Sequence, residues 1–188
     1  MGNHEVKDVT DKVHLFLAFK RTKDNEKSST KTLREVIKNP SKETETLEIL
    51  KAKCKILGGT WRIHKTVNAR DVKKALKVLQ HSLIDHPEKA SYIDSAWRTA
   101  LLQRECIYGE PRFMFDIDTK EKIKQDEMWN LIGIQSGRII DRIETPSGGL
   151  HLVTFPFDTR EVLKLGNITL LRDGYIYICS VEEKNDGS

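Results

Sequence analysis

Two short stretches hold the residues whose types and spacing can do chemistry. Arg112-Phe113-Met114-Phe115-Asp116-Ile117-Asp118 reads as a core strand ending in two acids. Glu144-Thr145-Pro146-Ser147-Gly148-Gly149-Leu150-His151-Leu152-Val153 reads as a glycine turn feeding a strand that carries a histidine. Side chains alternate along a strand, so Asp116 and Asp118 share one face while Phe113, Phe115 and Ile117 take the other. Two carboxylates about one pleat apart repel each other unless a cation is present, and a divalent metal such as Mg²⁺ or Mn²⁺ would serve. A plainer reading also fits: Asp118 caps the following helix and Asp116 makes a salt bridge. What favours metal is position, because acids at the open end of a rigid core strand recur where metal ions clamp a phosphoryl transfer.

The second stretch has a similar pair of readings. A strand histidine is commonly a satisfied, partly buried residue. Here Ser147-Gly148-Gly149 offers small residues and bare backbone, which lets a phosphate approach and receive N–H donors. His151 shares a face with Gly149 and would donate to a phosphate oxygen there.

The elements that must position these residues follow from periodicity and turn chemistry. Val13 to Phe19 is an apolar run and a buried strand, and the charged, serine-rich Arg21 to Lys31 is a mobile loop. Thr32 to Lys38 adds a helical turn before Asn39-Pro40. A helix capped by Ser41 runs to Leu57 and stops at Gly58-Gly59. Thr60 to Val67 is a strand, and Asn68 caps a helix bearing Val72, Ala75, Leu76, Leu79 and Leu83 on one face. His86-Pro87 breaks it, and one further helix spans Glu88 to Ile107. After the acid strand come a helix beyond Thr119, a strand from Arg138 to Ile143, the His151 strand and a short helix near Thr159 to Lys164. Strands Asn167 to Arg172 and Tyr175 to Cys179 close the chain as a hairpin turning at Asp173-Gly174. Trp97 and Trp129 fall on apolar helical stripes and read as core. The fold class is α+β, with one mixed or antiparallel central sheet flanked by helices. Residues 1–109 make an N-terminal part, 110–180 carry the motifs, and 181–188 form a tail.

Around the strand at Trp61 lies an aromatic and basic cluster of Arg62, His64, Lys65 and Arg70. Arg62 and His64 take the face opposite Trp61 and Ile63. This is either a solvated strand edge or a surface for nucleic acid, with Arg62 and Lys65 on phosphates. Arg138 and Arg142 share a strand parity and are candidates to bind a nucleotide, facing its triphosphate or the primer.

Composition narrows the class. The chain has 188 residues, 38% of them apolar and 32% charged, which suits one well-solvated domain. No apolar run reaches membrane-span length and no secretory segment is visible, so a cytoplasmic protein is expected. The three cysteines, Cys54, Cys106 and Cys179, show no metal spacing and read as reduced thiols. A net charge of +4, from 32 basic and 28 acidic residues, permits nucleic acid without requiring it.

Apolar-Asp-x-Asp, then Thr-Pro-Ser-Gly-Gly-x-His, then Asp-Gly-Tyr-Ile resembles the archaeo-eukaryotic primase superfamily, especially the small primase-polymerase forms of mobile elements and viruses. The resemblance covers about residues 110 to 179. It implies an RRM-like catalytic core and a metal-dependent nucleotidyltransferase of replication or repair. Asp116 and Asp118 would bind Mg²⁺ or Mn²⁺, and Ser147 and His151 would contact the phosphates of a nucleoside triphosphate. A DNA or RNA template or primer would be a partner, with any helicase supplied by a separate protein. The third motif departs from the family, because Asn167 to Arg172 has no carboxylate. Asp173 is the nearest acid, and its place in a turn gives it a structural explanation; either it substitutes as the third metal ligand, or the metal site has two protein acids, or catalysis has been lost. Alternatives are a non-catalytic nucleotide- or nucleic-acid-binding relative with a degraded metal site, and a metal-dependent nuclease or phosphotransferase.

Overall fold

The computed structural model describes residues 11–20, 32–37 and 40–182. Its strands are β1 (Lys12–Lys20), β2 (Thr32–Ile37), β3 (Trp61–Thr66), β4 (Arg70–Asp71), β5 (Phe113–Ile117), β6 (Ile139–Glu144), β7 (Leu150–Thr154), β8 (Ile168–Leu171) and β9 (Tyr175–Val181). Its α-helices are α1 (Glu43–Ile56), α2 (Val72–Asp85), α3 (Ile93–Leu101), α4 (Lys122–Ser136) and α5 (Arg160–Leu163). The class is α+β as expected, but the strands form two sheets and every pairing is antiparallel.

The first sheet has the order β2-β1-β3-β9, with β4 also pairing β1. β1 is apolar without alternation because helices cover both its faces. Phe16 and Ala18 pack with Leu50 and Cys54 of α1, while Leu15 and Leu17 pack with Ala75 of α2 and Leu101 of α3. The second sheet has the order β6-β7-β5-β8. Phe115, Ile117, Leu150 and Leu152 bury one of its faces against Met128 and Ile132 of α4 and Val162 of α5. The other face meets the first sheet, where Met114 and Val153 pack with Val67 and Ile176.

Several local expectations give way to this arrangement. Thr32–Ile37 is an edge strand rather than a helical turn, its backbone satisfied by pairing with β1. The loop read at Arg21 to Lys31 lies outside the described residues, as does the tail beyond 182. Asn68 does not cap α2. Asp71 does, accepting from the Lys74 N–H at 3.0 Å, while Asn68 is buried and bonded to both backbone groups of Arg112. The helix expected from Glu88 to Ile107 is three pieces, a 3-10 segment Pro87–Tyr92, then α3, then a 3-10 turn Arg104–Cys106. Gly58 and Gly59 do end α1, both with left-handed backbone (φ 62° and 83°).

The largest correction concerns the closing strands. β8 pairs β5 and β9 pairs β3, so Asp173-Gly174 is a crossover between sheets and not a hairpin turn. It follows that residues 110–180 do not make one sheet, since β9 belongs with the N-terminal strands. Asp173 holds the crossover. Its carboxylate receives two bonds from Arg70, at 3.0 and 2.8 Å, and a third from Asn68 at 3.1 Å. Gly174 is tightly packed there, since a Cβ would come within 3.1 Å of the Met114 side chain. Among the described residues no helix is long and apolar enough to cross a membrane.

Candidate functional site

The site forms where the helix-free face of the second sheet meets β9 of the first. On β5, Met114 and Asp116 point to this face while Phe115 and Ile117 enter the helix-covered core. Asp118 follows just past the strand, its N–H donating to the Asn167 carbonyl at 3.0 Å. Asp118 is exposed, and among the described residues its carboxylate accepts no hydrogen bond and joins no ion pair. It does not cap α4, whose N-terminal residue Glu121 makes no side-chain cap either.

Asp116 is flanked on both sides. Across one ladder it pairs with His151 of β7, and across the other with Thr169 of β8. Residues directly opposite share a face, so His151, Asp116 and Thr169 form a row across three strands. His151 Nε2 lies 3.4 Å from Asp116 Oδ1, with the imidazole 8% and the carboxylate 31% exposed. On its other side the ring is held by β9, where the Tyr177 N–H donates to His151 Nδ1 at 3.4 Å. That N–H sits where the β3–β9 ladder shifts register.

His64 of β3 belongs to the same neighbourhood. It stands edge-on to Phe19 and Tyr177, with ring centroids 5.5 and 5.8 Å away. Burial, and then the nearby His151, push its pKa down to about 4, with Asp116 pulling the other way. Arg62 lies two residues along the same strand on the same face, half-buried. Lys65 has the opposite parity and is tied to Glu43 of α1 by two bonds of 2.8 Å. Arg70, expected on a nucleic-acid surface, is completely buried and committed to Asp173. A guanidinium with no exposed surface cannot track a phosphate backbone.

The glycine turn is built differently from a phosphate cradle. The Gly148 N–H donates to the Thr145 carbonyl at 2.9 Å, and the Gly149 N–H donates to Thr145 Oγ1 at 3.1 Å. The two backbone donors expected to receive a phosphate are therefore used inside the turn. Gly149 is glycine for a packing reason: a Cβ there would lie 2.7 Å from the Ile117 carbonyl oxygen. Gly148 has φ +86° and lies under the Lys120 stem, whose Cγ would be 3.2 Å from an added Cβ. Ser147 stays exposed, its hydroxyl sharing one bond of 3.0 Å with Thr145. The turn is pinned beside the acids by Gln125, a buried α4 residue that donates to the Thr119 and Gly148 carbonyls at 2.6 and 2.8 Å. Lys120 and Gln125 escape a motif reading because a lysine after a strand and a glutamine on a helix carry no spacing signal.

The two other arginines lie away from the acids. Arg142 is opposite Leu152, so it takes the helix side of the sheet, 4.3 Å above the Trp129 ring and 3.6 Å from Asp126. Trp129 is accordingly 37% exposed rather than core. Arg138 precedes Ile139, which pairs with Thr154 at the far end of β7 from His151. Asp173, bound by Arg70 and Asn68, is not available to a metal near Asp116.

Among the described residues no group of three or more His, Cys, Asp or Glu is placed to hold a metal ion. The donor set suits a different kind of site. Mg²⁺ binds through one or two carboxylates, keeping waters and taking substrate phosphates for the rest. An exposed Asp118 beside a half-buried Asp116 fits that role. Cysteine chemistry is disfavoured, since burial raises all three thiols, Cys54 to about 11. Compared with known proteins, the chain matches no family model, no curated protein and no solved structure.

Proposed function

We propose that this chain is a metal-dependent nucleotidyltransferase of primase-polymerase type. One observation carries the reading: Asp116 lies near the end of a core strand with His151 against it, and the exposed Asp118 follows two residues on. Bound Mg²⁺ or Mn²⁺ would activate the attacking hydroxyl and offset charge on the triphosphate. Asp116 and Asp118 would hold it, and His151 Nε2 would fix the Asp116 carboxylate. The exposed Ser147 hydroxyl and the Lys120 ammonium would take phosphate oxygens in place of the occupied glycine N–H groups. Arg62 and His64 would contact the primer or template. The protein would act in the cytoplasm on nucleoside triphosphates and a DNA or RNA strand, with a separate helicase.

Primer extension with Mn²⁺ and labelled nucleotide tests this. Asp116→Ala with Asp118→Ala should abolish incorporation while circular dichroism and the unfolding midpoint stay near wild type. A double variant that still extends primers sinks the assignment.

A second reading has its own observation. Thr169 stands beside Asp116, near where the resemblance would lead one to expect a third acid, and Asp173 is tied to Arg70. That favours a nucleotide-binding relative without catalysis. Metal-dependent nucleotide binding with no polymer product would select it.

A further inference from the structure

β9 divides the junction of the two sheets. Tyr177 faces His64 on one side, while Ile176 and Ile178 face a second cleft on the other. That cleft comprises a cavity of about 410 Å³ and a smaller one of about 220 Å³, both lined by His14, Lys65 and Arg112. Neither Asp116 nor His151 lines either cavity. The larger volume falls in the roughly 300–1,000 Å³ range of small-molecule sites.

Its charges are arranged for an anion. Lys65 is satisfied by Glu43. Among the described residues the Arg112 guanidinium has no ion pair and no hydrogen bond, so its donors remain to be used. Its backbone is fixed, because buried Asn68 accepts from the Arg112 N–H at 2.6 Å and donates to its carbonyl at 3.3 Å. His14 Nδ1 meets the Thr66 carbonyl at 2.9 Å, leaving Nε2 without a partner among the described residues. Lys12 stands 6.0 Å over the Tyr108 ring at the same cavity. Burial and the Lys65 and Arg112 charges hold the His14 pKa below its usual value, partly countered by Thr66 and Glu43. An incoming anion would relieve this crowding of cations. Glu110 and Asp141 also line the cleft, so a bare polyanion is a poor fit. A ligand with one phosphate end and a part that donates hydrogen bonds matches better, with Tyr108 and Phe155 as apolar wall.

We propose that this cleft binds a mononucleotide-sized, phosphate-bearing ligand, its phosphate held by Arg112 and Lys12, with His14 Nε2 accepting a hydrogen bond from the rest of the ligand. The site is separate from the acid pair and needs no metal.

Calorimetric titration with AMP and with inorganic phosphate, both in excess EDTA, tests it. Wild type should bind AMP, and Asp116→Asn with Asp118→Asn should bind it equally well. Arg112→Gln should weaken binding on the order of tenfold or more, the scale of a lost charge-assisted phosphate contact. Lys12→Gln, at an exposed position outside the core, should weaken it by less without altering the unfolding midpoint. The proposal is overturned if wild type binds no AMP at millimolar concentration. Arg112→Gln and Lys12→Gln both binding as wild type would overturn it as well, as would loss of binding in the acid-pair variant. Phosphate binding as tightly as AMP would overturn the mononucleotide assignment.

Discussion

Asp116 and His151 face each other across adjacent antiparallel strands, and Oδ1 and Nε2 are 3.4 Å apart. The acid is half-buried and the imidazole nearly enclosed, so the pair is a fixed feature of the sheet surface. The Tyr177 N–H on the far side of the ring ties this pair to the first sheet. The site therefore depends on how the two sheets dock as well as on the two motif strands.

The Arg70–Asp173 pair makes the clearest structural prediction. Asp173→Ala leaves a fully buried guanidinium without its counter-charge. Such a loss costs roughly 3–5 kcal/mol. Urea denaturation should show it, while Mn²⁺ binding by the folded fraction should be unchanged. Loss of metal affinity without loss of stability would reinstate Asp173 as a ligand.

Gly149→Ala should destabilise by roughly 1–3 kcal/mol, the cost of forcing atoms into a closed space. The added Cβ meets the Ile117 carbonyl oxygen at 2.7 Å, and that oxygen belongs to the strand carrying both acids. Ser147→Ala, at an exposed position, should leave stability near wild type and weaken nucleotide binding. Equal stability for the two variants would contradict the close approach.

His64 predicts an acid limb in stability. Its folded pKa is about 4 against an ordinary 6.5. Between these values the unfolded chain binds the proton and the folded chain does not, so stability falls as pH drops from 6.5 toward 4 and levels off below. His14 is displaced in the same direction. Denaturation midpoints across this window should therefore fall less steeply in His64→Gln than in wild type, without becoming flat.

Thr169 offers a gain-of-function test. It is exposed and directly opposite Asp116. Thr169→Asp should tighten Mn²⁺ binding on the order of tenfold, since ligand charge count tunes affinity. Without metal the same variant should be less stable, because it adds a like charge beside Asp116. Unchanged Mn²⁺ affinity would mean that the row across β7, β5 and β8 is not where metal binds.

What the sequence determined by itself was the strand repeat and one helix stop. The buried face of Phe115 and Ile117, the opposite parity of Arg62 and Trp61, and the helix stop at Gly58-Gly59 all follow from backbone geometry over a few residues. Tertiary structure decided the rest. Whether Asp173-Gly174 closes a hairpin or crosses between sheets depends on Arg70, 103 positions away in the chain. Whether Gly148 and Gly149 offer free N–H groups depends on Thr145 turning inward, and whether Arg138 and Arg142 keep one strand parity depends on a register shift between Ile139 and Asp141. His64 joins the acid site only because β9 returns to pair with β3. Such choices are made by burial and by satisfaction of buried polar groups across distant segments, and a local repeat does not encode them.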